Sequence, residues 1–338
     1  MATILTPEQV ASRERLSKIS REQIDREATS DESKSSSQST LWRTVRDYIL
    51  NINHRYTKST NPIILFEWDM HDLWYMFIQA AKVTPADDPA QDRLVAQLLY
   101  AREMGTLRRR TTRTEEEAIT SDGLRIWTDL PYLAEDMQGA WEKSMDLSPH
   151  HRHNFAAFTA RLPALGICPT SLSLCALWLL REALETPRQL TRPENGSGEV
   201  SVAELLPACA AWFTYCNHKL LTLAVTKHVF PGANLPLSEP GELARQADIQ
   251  QPGFSVPRWL FWRHRFKDLS RCEDEHVATE ARRGFDAMIN TGRCMGYEIA
   301  GESKYWVRVQ NALSEEMKRS GKGSVSSDDI VIDMDWTD

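Results

Sequence analysis

The string Glu67-Trp68-Asp69-Met70-His71-Asp72 places three carboxylates and an imidazole within six residues. Oxygen ligands at that density can hold a divalent cation, and a histidine between two aspartates can form a small acid–base group. A second set, Asn290, Cys294 and Glu298, recurs at steps of four, the spacing that shares one helix face. Two features weigh against a metal there: a thiol in the middle of the set suits magnesium poorly, and Gly292 and Gly296 weaken the helix that would present it. His150, His151 and His153 also lie close together. Adjacent residues on a helix point about 100° apart, however, and the i, i+4 histidine pair of a zincin helix is missing. No metal site and no cofactor is implied, and for His71 a solvated helix face is the commoner outcome.

Charges inside apolar stretches come next, because a buried charge without a partner costs several kcal/mol. Asp129, Arg161, Arg181, Glu182 and Glu185 are interleaved with Trp127, Leu162 and Trp178. Such groups either pair at helix ends and fix register or form the polar lining of a cavity. On the second reading the ligand-pocket residues are Trp127, Asp129, Arg161, Trp178, Arg181 and Glu182. The basic run Arg108-Arg109-Arg110 with Arg113 is followed at once by Glu115-Glu116-Glu117, which cancels much of its field. It reads as a solvated loop. Phosphate-binding glycine loops, nucleophile elbows and dinucleotide fingerprints are missing.

The elements that would carry these groups are helical. Leu41, Val45, Ile49, Ile52 and Tyr56 recur at steps of three and four. Asn61-Pro62, Asp88-Pro89 and Ser148-Pro149 look like helix starts, Asp129 like another cap, and Ser201 with Glu204 like a capping box. The run from Leu172 to Leu184 is apolar nearly all round, which marks a buried helix. Residues 231–257 are rich in proline and glycine and read as an irregular crossing with a short helix near Leu243. The expected architecture is an all-α bundle of ten to twelve helices. Residues 41–319 are expected to form a single domain with a seam at 187–200. Residues 1–40, too poor in apolar positions for a core face, are expected to be a disordered or loosely helical tail, and residues 320–338 an acidic disordered one.

Composition narrows the function classes. Of the 338 residues, 41% are apolar and 26% charged, the balance of a globular protein. A net charge of −7 gives no general attraction to nucleic acid or anionic lipid, so neither is an expected partner. The six cysteines include no CxxC pair and read as small buried hydrophobes in a reducing compartment. No stretch near the start resembles a secretion signal, and none has the roughly 20 apolar residues a membrane span needs. A cytoplasmic or nuclear protein, not a secreted one, is expected. In the tail, Ile330, Val331 and Ile332, fenced by Asp328, Asp329 and Asp333, form a β-prone run suited to adding to a partner's sheet edge. It resembles a SUMO-interacting segment, and the same composition also serves an ordinary solubilising tail.

Several strings taken together carry a family resemblance: Asp72-Leu73-Trp74 with Phe77 and Ala80-Ala81; Ala101-Arg102-Glu103-Met104-Gly105; Trp127-Thr128-Asp129-Leu130-Pro131; Arg152-His153-Asn154 running to Ala160-Arg161-Leu162; and Cys175-Ala176-Leu177-Trp178 continuing to Arg181-Glu182-Ala183-Leu184-Glu185. In this order, over about residues 40–300, the chain resembles a filamentous-fungal family known only as a domain of unknown function, with members found near secondary-metabolite genes. The resemblance implies a helical fold and a fungal source and transfers no catalytic residue. The acidic string also resembles, in outline only, the magnesium motif of class I terpene cyclases. Two functions follow as expectations. One is a helical interaction or accessory protein, with a protein partner engaged through the tail. The other is a cofactor-free enzyme or small-molecule binder of secondary metabolism, with an aromatic-lined pocket between helices.

Overall fold

The computed structural model describes residues 6–32, 41–110, 114–192, 199–232, 236–321, 324–326, 330 and 332. Apart from one two-stranded hairpin their regular elements are all helices, as the all-α expectation requires. The chain divides into two compact units, Met1–Leu162 with Gly166–Leu172, and Pro163–Leu165 with Ser173–Asp338. The loop at 187–200, read as a seam, lies within the second of these units. Val202 N donates to Gln189 O at 3.0 Å and Ala203 N to Leu190 O at 2.9 Å, so Gln189 and Leu190 lie against the start of the helix that follows.

The first unit is organised around α3 (Ile63–Val83), whose Phe66, Leu73, Trp74 and Phe77 are fully buried. Helix α2 (Leu41–Lys58) lays the stripe Leu41, Val45, Ile49, Ile52 and Tyr56 against it, as the periodicity predicts. Helix α4 (Pro89–Glu103) starts on Asp88, whose side chain accepts from Ala90 N at 2.8 Å. Helices α5 (Leu133–Glu142) and α6 (Pro149–Ala164) complete the layer.

Two elements depart from expectation. Residues 7–32, read as part of a tail, form α1 (Pro7–Glu32), which packs along α3. Its contact face is Arg13, Ser17, Arg21, Ile24 and Ala28, a regular helical stripe with a polar first half. A search for apolar periodicity misses it because Leu16 and Ile19 point outward. The Arg–Glu segment, read as a loop, forms the antiparallel strands β1 (Arg108–Arg110) and β2 (Glu115–Glu117), with Arg108 opposite Glu117, Arg109 opposite Glu116 and Arg110 opposite Glu115. Opposite charges directly across a ladder are favourable pairs. Arg109 is also anchored by Asn61 O at 2.6 Å and lies over the Tyr56 ring.

In the second unit, α7 (Ser173–Leu180) runs into a π-helical turn at Arg181–Glu185. Helix α8 (Val202–Val225) opens on the Ser201–Glu204 capping box and bends at Cys216. It packs against α10 (Val256–Leu269) and α11 (Glu275–Ile289), while the short α9 (Glu242–Gln246) lies in the irregular crossing. Helices α12 (Thr291–Met295) and α13 (Glu302–Ser320) end the unit. Trp212, Trp259 and Trp262 are fully buried there, as Trp74, Trp127 and Trp141 are in the first.

Candidate functional site

A cleft of about 580 Å³ runs along α3 in the first unit. Its floor is the stripe His71, Tyr75, Ile78, Gln79 and Lys82, spaced so that all five side chains share one helix face. The opposite wall is a second stripe, Glu135, Asp136, Gly139 and Ala140 of α5, continued by Lys143, and Arg21 of α1 closes one side. A Cβ built on Gly139 meets nothing within 4 Å. Glycine in a helix interior costs up to about 1 kcal/mol relative to alanine, and here the space is left to the cleft.

At one end, His71 Nδ1 lies 2.8 Å from Asp136 Oδ2 and 3.0 Å from Oδ1, and its ring stacks on Tyr132 with centroids 4.4 Å apart. The hydrogen bond to Asp136 raises the imidazole's pKa; burial opposes it and the Asp136 charge assists. With Nδ1–H held by the carboxylate, Nε2 is the nitrogen left to take or give a proton, the arrangement by which a carboxylate orients a catalytic imidazole. The loop that delivers Tyr132 is strained: Leu130 and Tyr132 have φ of 49° and 66°. Left-handed backbone at residues other than glycine costs of order 1–3 kcal/mol and gathers at functional sites. It is fixed to the floor by Trp74 Nε1, which donates to Pro131 O at 2.7 Å. At the cleft's middle, Tyr75 donates its hydroxyl to Asp25 Oδ1 of α1 at 2.6 Å beneath the Arg21 guanidinium, and burial raises its pKa. At the far end burial lowers the pKa of Lys82, with Asp25 opposing and Lys143 reinforcing.

The acidic string is otherwise engaged. Glu67 accepts from Ser121 N at 2.5 Å. Asp69 is paired with Arg13 and, at 3.0 Å, with Arg55; Asp72 accepts from Ser17 Oγ at 2.5 Å and from Arg21 Nε at 3.1 Å. Among the described residues no group of three or more His, Cys, Asp or Glu is placed to hold a metal ion. Asn290 caps α11, and the helix that carries Cys294 stops at Met295 before a left-handed Gly296, so no continuous helix presents Asn290, Cys294 and Glu298. His150 contacts Asn154 at the start of α6.

The six residues read from the sequence as a ligand pocket fall elsewhere. Trp127 is buried and donates to Asn53 Oδ1 at 2.6 Å; Asp129 is exposed and accepts from Arg125 N at 2.7 Å, so it closes its own turn and does not cap α5. Arg161 bridges Asp92 at 2.9 Å and the carbonyls of Ala157 and Ala86. In the second unit Trp178 is part-exposed on α7, Arg181 donates to Pro236 O at 3.1 Å, and Glu182 pairs with Arg188. None of the six lines the cleft, nor the apolar cavity of about 430 Å³ that Ile249, Pro257, Leu260, Phe261 and His264 line in the second unit. Neither hollow has a tryptophan wall. In the tail, Ile330 and Ile332 take neither helix nor strand, and Val331 and Asp333 lie outside the described residues. Tyr75, Lys82, Asp136, Gly139 and Lys143 carry no sequence signal of their own. Tyr75 and Lys82 were reachable only as positions four and eleven beyond His71 on its own face.

Among known proteins, residues 74–266 match the family model described as "Protein of unknown function (DUF3632)". The chain is 30% identical over 254 residues, 69% of its length and 69% of the relative's, to "Oxopyrrolidines biosynthesis cluster protein G" of Penicillium oxalicum (strain 114-2 / CGMCC 5302). No solved structure matches the chain. Among the described residues no helix is long and apolar enough to cross a membrane.

Proposed function

The chain belongs to the DUF3632 family of proteins of unknown function, and on that premise we propose that it is an accessory protein of fungal secondary metabolism whose α3–α5 cleft binds a small pathway molecule and moves a proton on it. The observation that carries this reading is His71, held through Nδ1 by Asp136 and lining a cleft large enough for a drug-sized molecule. Protonated, His71 serves as a general acid; neutral, its Nε2 serves as the base, with Asp136 stabilising the imidazolium. The relative named for a biosynthesis cluster supports placing the molecule on such a pathway. The six free cysteines support a reducing compartment, the cytoplasm or nucleus.

Metabolite profiles of producing strains test it. A strain lacking the gene is compared with strains carrying the wild-type, His71→Gln or Gly139→Leu protein. Both variants are expected to reproduce the deletion profile while the purified proteins stay folded: His71→Gln loses only a part-exposed pair, and a Cβ at position 139 meets no neighbouring atom within 4 Å. A wild-type profile from either variant, or a deletion that changes no metabolite, overturns the reading.

A further inference from the structure

The cleft's two ends differ in how their charges are met. Asp136 is taken by His71, Asp25 by the Tyr75 hydroxyl, and Arg21 by Asp72. Lys82 and Lys143 are the exception: both line the cleft close enough for their charges to repel, and among the described residues neither ammonium makes a hydrogen bond or an ion pair. The face of Phe155, 5.9 Å from Lys82 Nζ, and the charge of Asp25 are what Lys82 has in their place. Lys82 is part-buried and Lys143 exposed; drawing the Lys82 ammonium partly out of water and setting it beside a second one are both unfavourable, and an anion between the two offsets both.

We propose that Lys82 and Lys143 seat the carboxylate of an elongated monoanionic organic molecule, whose body runs over Ile78, Gly139 and Ala140 to present its other end to His71. The inference rests on the reading of this cleft as a small-molecule site and adds the class of molecule. Length follows from the floor: eleven residues separate His71 from Lys82, about 16 Å at a rise of 1.5 Å each. Charge follows from the lining, where Glu135, Asp136 and Glu142 stand against Arg21, Lys82 and Lys143. The cleft as a whole is near neutral, and the Asp25 charge acting on Lys82 cancels about one of the two positive charges at this end, so a single negative charge is matched there and the second charge of a phosphate monoester is not. Ile78, Gly139 and Ala140 are the apolar part of a lining that is otherwise polar, and an alkyl or acyl body lies over them beside Tyr75 and Gln79.

Calorimetric titration of the full chain tests the inference with three probes of one length: ω-hydroxydodecanoate, the neutral dodecanediol, and dodecyl phosphate. The hydroxy acid is expected to bind at least tenfold more tightly than the diol and more tightly than the phosphate. In Lys82→Met/Lys143→Met that preference is expected to vanish with diol affinity unchanged, and single variants showing the same partial loss keep the test alive should the double variant not fold. His71→Gln is expected to retain the preference, since the anion is held at the other end. No binding of any probe, equal binding of acid and diol, strongest binding of the phosphate, or a preference that survives loss of both lysines overturns it. A retained preference with a wild-type metabolite profile for His71→Gln leaves the carboxylate site standing and removes only the proton-transfer role.

Discussion

Each unit buries carboxylates on a helix or turn, and each neutralises them with arginine, but the two solutions differ in who meets water. In the second unit Glu185 and Arg258 are both fully buried. Arg258 Nε and Nη2 donate to the carboxylate at 2.6 and 2.9 Å, Nη1 to Ser238 O and Gly253 O, both at 2.8 Å, and Nη2 again to Glu239 O at 3.2 Å. Glu185 in turn accepts from Trp262 Nε1 at 2.6 Å and from Gly241 N at 2.7 Å, an approach that a Cβ at Gly241 would block at 2.7 Å from Glu185. In the first unit Asp69 and Asp72 are as buried, but Arg13, Arg21 and Arg55 keep 17, 40 and 33% of their side chains exposed. A sealed pair with every donor used is architecture. Cations that reach in from the surface, Arg13 and Arg21 of α1 and Arg55 of α2, fasten α1 to α3 with groups that water also solvates, and α1 is the element that brings Arg21 to the cleft.

The largest expected effect breaks the sealed pair. Arg258→Met leaves Glu185 charged and buried, a change that costs about 3–5 kcal/mol, while adding Glu185→Leu removes the stranded charge and restores most of the loss. Urea unfolding of the single and double variants checks this, and a single variant as stable as the wild type would show that water already reaches Glu185. Next comes Asp69→Asn, expected to cost about 1–2 kcal/mol because Arg13 and Arg55 can turn to solvent. The sharper contrast is with salt: raising ionic strength should speed hydrogen exchange along α1 and leave residues 181–185 and α10 unchanged. Equal salt response in the two regions would erase the distinction between them.

That distinction also marks where the sequence could be read. Local signals were legible: the stripe of α2, the Asp88 cap and the Ser201–Glu204 box each depend on residues within one or two turns. Docking of α1 was not, since half of its stripe is polar and only becomes a contact face when Asp69 and Asp72 are opposite it. The candidate site shows the same limit. Reading His71 with Asp69 and Asp72 took neighbours in sequence for neighbours in space. On a helix, residues three apart share a face and residues two apart do not, so the aspartates turn to α1 and the imidazole away from them. Its carboxylate, Asp136, is 65 positions along the chain, and no spacing within α3 announces it.

The smallest expected effect concerns this third pair, the most open of the three, with 33 and 24% of the His71 and Asp136 side chains exposed. The Asp136 hydrogen bond raises the pKa of His71 above 6.5, the value taken for an unpaired imidazole. Folding therefore favours the protonated ring, so the pair's contribution to stability is complete below 6.5 and is lost as pH rises through the folded-state pKa. The stability gap between the wild type and His71→Gln should accordingly narrow from acidic to mildly alkaline pH, by less than either arginine site yields. In a proton NMR titration the His71 ring should titrate above 6.5, and Asp136→Asn should return it toward that value. A ring that titrates at 6.5 in both proteins would mean that Asp136 does not hold it, and His71 would then lose the partner that fixes which nitrogen faces the cleft.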